Sequence, residues 1–235
     1  EKRKEGYDTI HFTGGEPTQS KDLPDLDSKA KELGYERIRL DTNARAFANK
    51  RYFSEMVERG VTGISTSLHG HNAEVHDGVT RTPGSFDSTI SGITNFISNG
   101  MTDVGVGTVV MRQNYEYLPE IGEKVLSIGV DAYSFIDLKP FGRAEDGYGL
   151  LSVKRSDLAR VLAKSVDIFS KFRYVAAFNF NWCLFPKEMK NLFFLESAEI
   201  KKNHITDFVM ADPAPSKNDG KDYDSEKKRH IAICA

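Results

Sequence analysis

The chain has 235 residues, enough for one large domain with a sizeable core. Hydrophobic residues make up 39% and charged residues 28%, which excludes collagen, low-complexity disorder and a disulfide-rich secreted module. A net charge of -2 gives no global basic field for nucleic acid or an anionic membrane.

No apolar run approaches the roughly 20 residues needed to span a bilayer. The opening segment EKRKEG has no apolar stretch behind it and does not read as a signal peptide. Two cysteines, Cys183 and Cys234, do not make a disulfide framework, so the expected compartment is the reducing cytoplasm. A start without Met inside a charged segment and a stop at ICA read as a fragment.

In chain order, Tyr7–Phe12 reads as a strand that ends in Thr13-Gly14-Gly15. Leu26, Ala30 and Leu33 share a helical face, and Gly34 stands where a helix stops. A strand at Arg37–Leu40 follows, then Asp41-Thr42-Asn43. Val61–Leu68 is rich in β-branched residues. Phe86, Ile90, Ile93 and Ile97 form a stripe behind a Ser85 cap and before Gly100. Val104–Met111 is the most strand-prone run. Leu118, Ile121, Val125 and Ile128 repeat the helical period up to Gly129. Ala132–Leu138 gives another strand, a helix follows the Ser156 cap, and Tyr174–Trp182 holds a sixth strand.

Strand alternating with helix is the pattern of a parallel α/β sheet or barrel. The strand ends Phe12, Leu40 and Leu68 are spaced 28 residues apart, close to one βαβ unit. The pattern degrades after Lys187, and Pro213 to Asp224 is a turn-rich connector. The expected division is a core over residues 1–185 and a C-terminal extension over 186–235.

In such folds ligands bind at the carboxyl ends of the strands. The residues there form a polar, glycine-rich ring. Gly14-Gly15-Glu16-Pro17 is its sharpest part: two glycines admit close backbone approach, a carboxylate follows, and Pro17 fixes the exit. Donors beside a carboxylate suit a ligand carrying both carboxylate and ammonium. A plain strand–turn–helix accounts for the same residues.

FTGGEPT after a strand resembles the GGEP motif of the radical SAM (S-adenosylmethionine) enzymes. The resemblance continues in order through LDTNA, STSLHGHNAEVHDGVTRTPGSFDSTISGI, TVVMRQNYEYLPEI and DLKPFGRA, over roughly residues 5 to 145. It is strongest to the branch with heme-maturation, peptide-modifying and molybdenum-cofactor cyclase enzymes. It implies a partial (β/α)6 barrel. It places Gly14, Gly15 and Glu16 at the methionyl ammonium of SAM, with Pro17 shaping the turn. Thr42, Asn43 and Ser67 would reach methionyl or ribose groups, Arg112 the SAM carboxylate, and Leu138 and Pro140 the adenine. Thr42 and Ser67 also read as strand-end caps, and Arg112 as a solvated charge.

The family's cluster takes three cysteines spaced C-x-x-x-C-x-x-C. No such triplet occurs in this sequence. The resemblance therefore implies a [4Fe–4S] cluster with ligands upstream, and no such cluster on this fragment. Cys234 resembles the start of an auxiliary-cluster motif, with Cys183 a weaker candidate ligand. The implied activity is reductive cleavage of SAM to a 5′-deoxyadenosyl radical, with a peptide or tetrapyrrole-type substrate and a flavodoxin or ferredoxin as reductant. The alternatives are a cluster-free enzyme using the same polar ring, or a non-catalytic SAM- or nucleotide-binding module.

His69, His71 and His76 cluster in LHGHNAEVHD and read as a polar loop rather than a metal site. Arg81 is expected to brace that loop against the barrel, and His11 to pack within the first strand.

Overall fold

The computed structural model describes residues 2–193 and 231–234. Seven strands form one parallel sheet. They are β1 (Thr9–Thr13), β2 (Arg37–Asp41), β3 (Gly63–Ser67), β4 (Asp103–Val110), β5 (Ala132–Asp137), β6 (Tyr174–Phe178) and β7 (Ile231–Cys234). Their order is β6-β5-β4-β3-β2-β1-β7, so the first six lie in chain order and β7 returns beside β1. The connecting helices are α1 (Leu23–Glu32), α2 (Lys50–Arg59), α3 (Ala73–Thr80), α4 (Ser85–Ser98), α5 (Leu118–Ile128), α6 (Tyr148–Leu151), α7 (Arg155–Lys164), α8 (Val166–Phe169) and α9 (Lys187–Phe193). This is the α/β, partial-barrel architecture expected from the strand spacing. Among the described residues, no helix is long and apolar enough to cross a membrane.

Alternation along the strands sorts residues between two faces. Ile38 and Leu40 of β2, Ile64 of β3, Val104 and Val106 of β4, and Phe135 of β5 are buried in one core with Leu23, Met56, Phe96 and Ile121 from the helices. The residues between them are only partly buried and include His11, Arg39, Asp41, Ser65 and Ser67. The outer face is therefore apolar and the inner face polar. A short polar chain is buried on the outer side of β4: Tyr133 donates to Thr108 Oγ1 at 2.6 Å, and Thr108 donates to the Leu68 carbonyl at 2.6 Å.

Three helix expectations need correction. The buried stripe of α1 is Leu23, Asp27 and Ala30, while Leu26 and Leu33 are exposed, because the helix is set by Leu23 four residues before Asp27. Ser85 lies inside α4 rather than capping it. Gly84, at φ 78, holds the cap position, and Asp77 serves the exposed N–H groups from a distance. The cap position of α7 is held by Lys154, not Ser156. The expected C-terminal extension lies mostly outside the described residues.

Candidate functional site

The loop after β1 turns at Gly14, whose φ of 122 favours glycine. A Cβ added at Gly15 would meet nothing within 4 Å, so open space lies beside the backbone there. Glu16 then turns back toward β2. Its Oε1 accepts from Thr18 N at 3.2 Å, Thr18 Oγ1 at 2.7 Å and Thr42 Oγ1 at 2.6 Å. Its Oε2 accepts from Asn43 N at 2.7 Å. One carboxylate thus joins the ends of β1 and β2 and caps the short turn begun by Pro17. Oε2, with one donor, keeps capacity for a second.

The β2 loop is held from outside by α4. Ala44 has a left-handed backbone at φ 61 and is fully buried. Its carbonyl rests against Gly92 of α4, where an added Cβ would come within 2.1 Å of that oxygen. Thr89 Oγ1 donates to the Asn43 carbonyl at 3.0 Å, and Asn95 Nδ2 donates to the Phe47 carbonyl at 2.7 Å. The sequence reading took α4 as an apolar stripe and missed this polar buttress. Gly92 in the middle of an apolar helix was the available signal.

The start of α4 is itself fixed by Asp77. Its Oδ2 accepts from Gly84 N at 2.7 Å, and its Oδ1 from Ser85 Oγ and Phe86 N, both at 2.8 Å. Burial raises this carboxyl's pKa, but the bonds from Phe86, Ser85 and Gly84 outweigh that and hold it below the usual carboxylate value. The HNAEVHD segment therefore orders a helix start. Arg81 is exposed at the left-handed end of α3.

Ser67 ends β3, at the level of Gly107 in β4, and belongs to the same rim. His69 follows two residues later. Its backbone N donates to His76 Nδ1 at 3.0 Å, and the two rings stack at 5.8 Å. Burial, with His76 beside it, pushes the His69 pKa down to about 4, so its imidazole is neutral at pH 7. Among the described residues, no group of three or more His, Cys, Asp or Glu is placed to hold a metal.

The other half of the rim is looser. Leu138 and Pro140 follow β5, and Phe141 beside them is 79% exposed. Asp137, at the end of β5, takes a paired contact from Arg155 at 2.9 and 2.6 Å. Arg112 makes its bonds to the segment after β5. It is exposed, its backbone N donates to the Leu151 carbonyl at 2.7 Å, and its guanidinium donates to the Gly149 and Ser152 carbonyls at 3.4 Å. Cys183 is exposed with a free thiol. Cys234 stands opposite Thr13 in the β1–β7 pairing, so its backbone reaches the same rim.

The parallel sheet thus carries a glycine-carboxylate turn at its carboxyl edge, an α/β rim of the kind that binds ligands. A family model described as the radical SAM superfamily matches residues 1–125, and the chain belongs to that superfamily. A probable GTP 3′,8-cyclase of Saccharolobus solfataricus is 31% identical over 168 residues, 72% of this chain and 52% of its own length. One of Metallosphaera sedula is 27% identical over 163 residues, 68% of this chain and 50% of its own. The chain thus spans about half the length of these curated relatives. Among solved structures, SuiB of Streptococcus suis bound to S-adenosylmethionine has a TM-score of 0.56 at 18% identity, covering 74% of this chain and 38% of that one. The AdoMet-bound anSMEcpe has a TM-score of 0.54 at 17% identity, covering 69% and 46%.

The residues present fit SAM in part. Glu16 is fixed beside open space, as an acceptor for an ammonium must be. They do not fit a [4Fe–4S] cluster, since the sequence has two cysteines where three thiolates are required.

Proposed function

We propose that this chain is the SAM-holding part of a radical SAM enzyme acting on a peptide-type substrate. The observation that carries the reading is the Glu16 carboxylate, locked by Thr42 and Asn43 against the ends of two strands, with open space at Gly15. Gly14, Gly15 and Glu16 receive the methionyl ammonium and Pro17 holds the turn. Thr42, Asn43 and Ser67 face the methionyl and ribose groups, and Leu138 and Pro140 flank the adenine. Arg112 serves the SAM carboxylate only by leaving the Gly149 and Ser152 carbonyls. Bound SAM would supply, on one-electron cleavage to methionine, a 5′-deoxyadenosyl radical for hydrogen abstraction, with Gly14, Gly15 and Glu16 holding its methionyl end. The cluster ligands and a flavodoxin- or ferredoxin-type reductant come from outside the described residues, and Cys234 is a candidate ligand of an auxiliary cluster.

Support for a peptide comes from SuiB, which was crystallised with its precursor peptide SuiA. The relatives named GTP 3′,8-cyclase favour a second reading, a guanine nucleotide. The SAM reading is tested by calorimetric titration of SAM into this chain. Glu16→Ala removes four accepted hydrogen bonds and the ammonium partner. It should weaken SAM binding about tenfold or more and lower unfolding free energy by about 2–3 kcal/mol. Unchanged affinity in a folded Glu16→Ala protein would refute the reading.

A further inference from the structure

The inner face carries charged residues that the SAM rim does not use. Arg39 of β2 reaches across Gly63 of β3 and pairs with Asp103 of β4. A Cβ at Gly63 would meet the Asp103 carbonyl oxygen at 2.2 Å, so only glycine leaves this crossing clear. Arg39 Nη2 also donates to Ser65 Oγ at 3.2 Å. Arg39 and Asp103 thus compensate each other. Burial, with Arg37 nearby, pulls the Arg39 pKa down to about 10, which leaves it charged at pH 7.

Asp41 attracts Arg39 as well but makes no close ion pair with it. It lies beside Ser65 in the β2–β3 register, and Ser65 lies beside Gly105 of β4. Its Oδ1 is covered and has no hydrogen-bond partner. His11 Nδ1 lies 3.7 Å from Oδ1, too long for a hydrogen bond. A quarter of the Asp41 side chain is still accessible, so its reachable edge is the Oδ2 side. A Cβ at Gly105 would meet nothing within 4 Å, so space is open along this face. Glu16 and Asp77, by contrast, each accept hydrogen bonds from donors of their own chain on both carboxylate oxygens. A largely buried carboxylate without donors is costly, and a ligand that supplies one recovers that cost.

We propose that Asp41, backed by His11, is a specificity-determining residue that binds a cationic N–H donor of the substrate, the guanidinium or ammonium of a basic peptide side chain. Arg39 and Asp103 hold each other, whereas Asp41 keeps an accessible carboxylate edge on the open inner face. Asp41 also directly precedes Thr42, which holds Glu16, so a cation there lies one residue from the SAM turn. This rests on the peptide reading above.

The probes are Nα-acetyl-arginine methylamide and Nα-acetyl-lysine methylamide, with Nα-acetyl-citrulline methylamide as the neutral control and guanosine as the competing ligand. Each is titrated into this chain and into the near-isosteric Asp41→Asn variant, followed by backbone amide shifts, with circular dichroism to confirm folding. At least one cationic probe should bind about tenfold more tightly than citrulline, and that preference should fall to about twofold or less in Asp41→Asn. No preference in the original chain, or a preference that survives in Asp41→Asn, overturns the proposal. Guanosine binding that is lost in Asp41→Asn, without cation binding, overturns it in favour of a nucleobase. SAM is titrated into the same samples. SAM binding without cation preference refutes this proposal alone, and cation preference without SAM binding refutes the SAM reading alone.

Discussion

The two halves of the rim are built differently. Over β1–β3, loop backbones are held by short side-chain contacts: Glu16 joins two loops, Asp77 starts α4, and Thr89, Asn95 and Gly92 fix the β2 loop from behind. Over β5 and β6, the loop after β5 projects Phe141 and Leu150 at 79% and 76% exposure. It is tied down mainly by two arginines, Arg112 and Arg155. A charged end held by short bonds to backbone stays in place without its ligand. An adenine-side loop held by long side chains can adjust. The difference teaches that one half is preorganised before any ligand arrives, whereas the other has room to adjust.

The largest expected effect sits under the ordered half, where one carboxylate breaks its rule. Asp27 in α1 is fully buried, and neither of its oxygens has a hydrogen-bond partner. Burial, partly offset by Arg59, pushes its pKa from 3.8 up to about 7. The folded chain therefore keeps a proton that the unfolded chain releases near pH 3.8. Between those values the folded state binds more protons, so this group makes stability fall as pH rises, levelling off above about 7. The slope approaches about 1.4 kcal/mol per pH unit, roughly 4 kcal/mol in all. Urea unfolding from pH 4 to 8 should show this decline, and Asp27→Asn should remove it. A flat profile in the original chain would show that Asp27 finds a donor in solution.

Next comes the buttress. Gly92→Ala would gain about 1 kcal/mol of helix propensity in isolation. Here the methyl meets the Ala44 carbonyl, and overpacking should reverse the sign to a net loss of about 2 kcal/mol. SAM affinity should fall with it, because Ala44 adjoins Asn43. Stabilisation by Gly92→Ala would separate α4 from the site. Asp77→Ala should cost about 1–2 kcal/mol through the lost helix start. Because hydrogen bonds depress this carboxyl's pKa, its contribution is present above the unfolded value and lost as pH falls through the folded one. The variant and the original chain should therefore converge in stability in acid.

How far the sequence revealed this follows the same division. Glycine-glycine-carboxylate-proline after a strand is a local signal, and the bonds of Glu16 to Thr18 lie within it. The parallel sheet was legible because the period changes from two to 3.6 at each boundary. The Asp77 bonds to Gly84 and Phe86, seven and nine residues away, carry no periodic signature. The α1 stripe was misread because Asp27 occupies a core position and hydropathy assigns it to solvent. His11 was read as a packed strand residue, and the structure packs it within β1, near Asp41 on the inner face.

The smallest expected effect decides the role of Arg112. In sequence it occupies the place from which a basic residue would reach the SAM carboxylate. In the structure its exposed guanidinium lies at 3.4 Å from the Gly149 and Ser152 carbonyls. Bonds of that length on an exposed side chain contribute little, so Arg112→Ala should change stability by about 0.5 kcal/mol or less. Hydrogen exchange should rise locally at residues 149–152, where the Leu151 carbonyl keeps only its bond from the Arg112 backbone. SAM affinity should shift by about threefold or less if the preorganised half carries the zwitterion by itself. A loss of about tenfold with unchanged exchange at 149–152 would place the guanidinium on the SAM carboxylate instead. The looser half of the rim would then contribute charge as well as shape, and the contrast between the halves would narrow to when each is ordered.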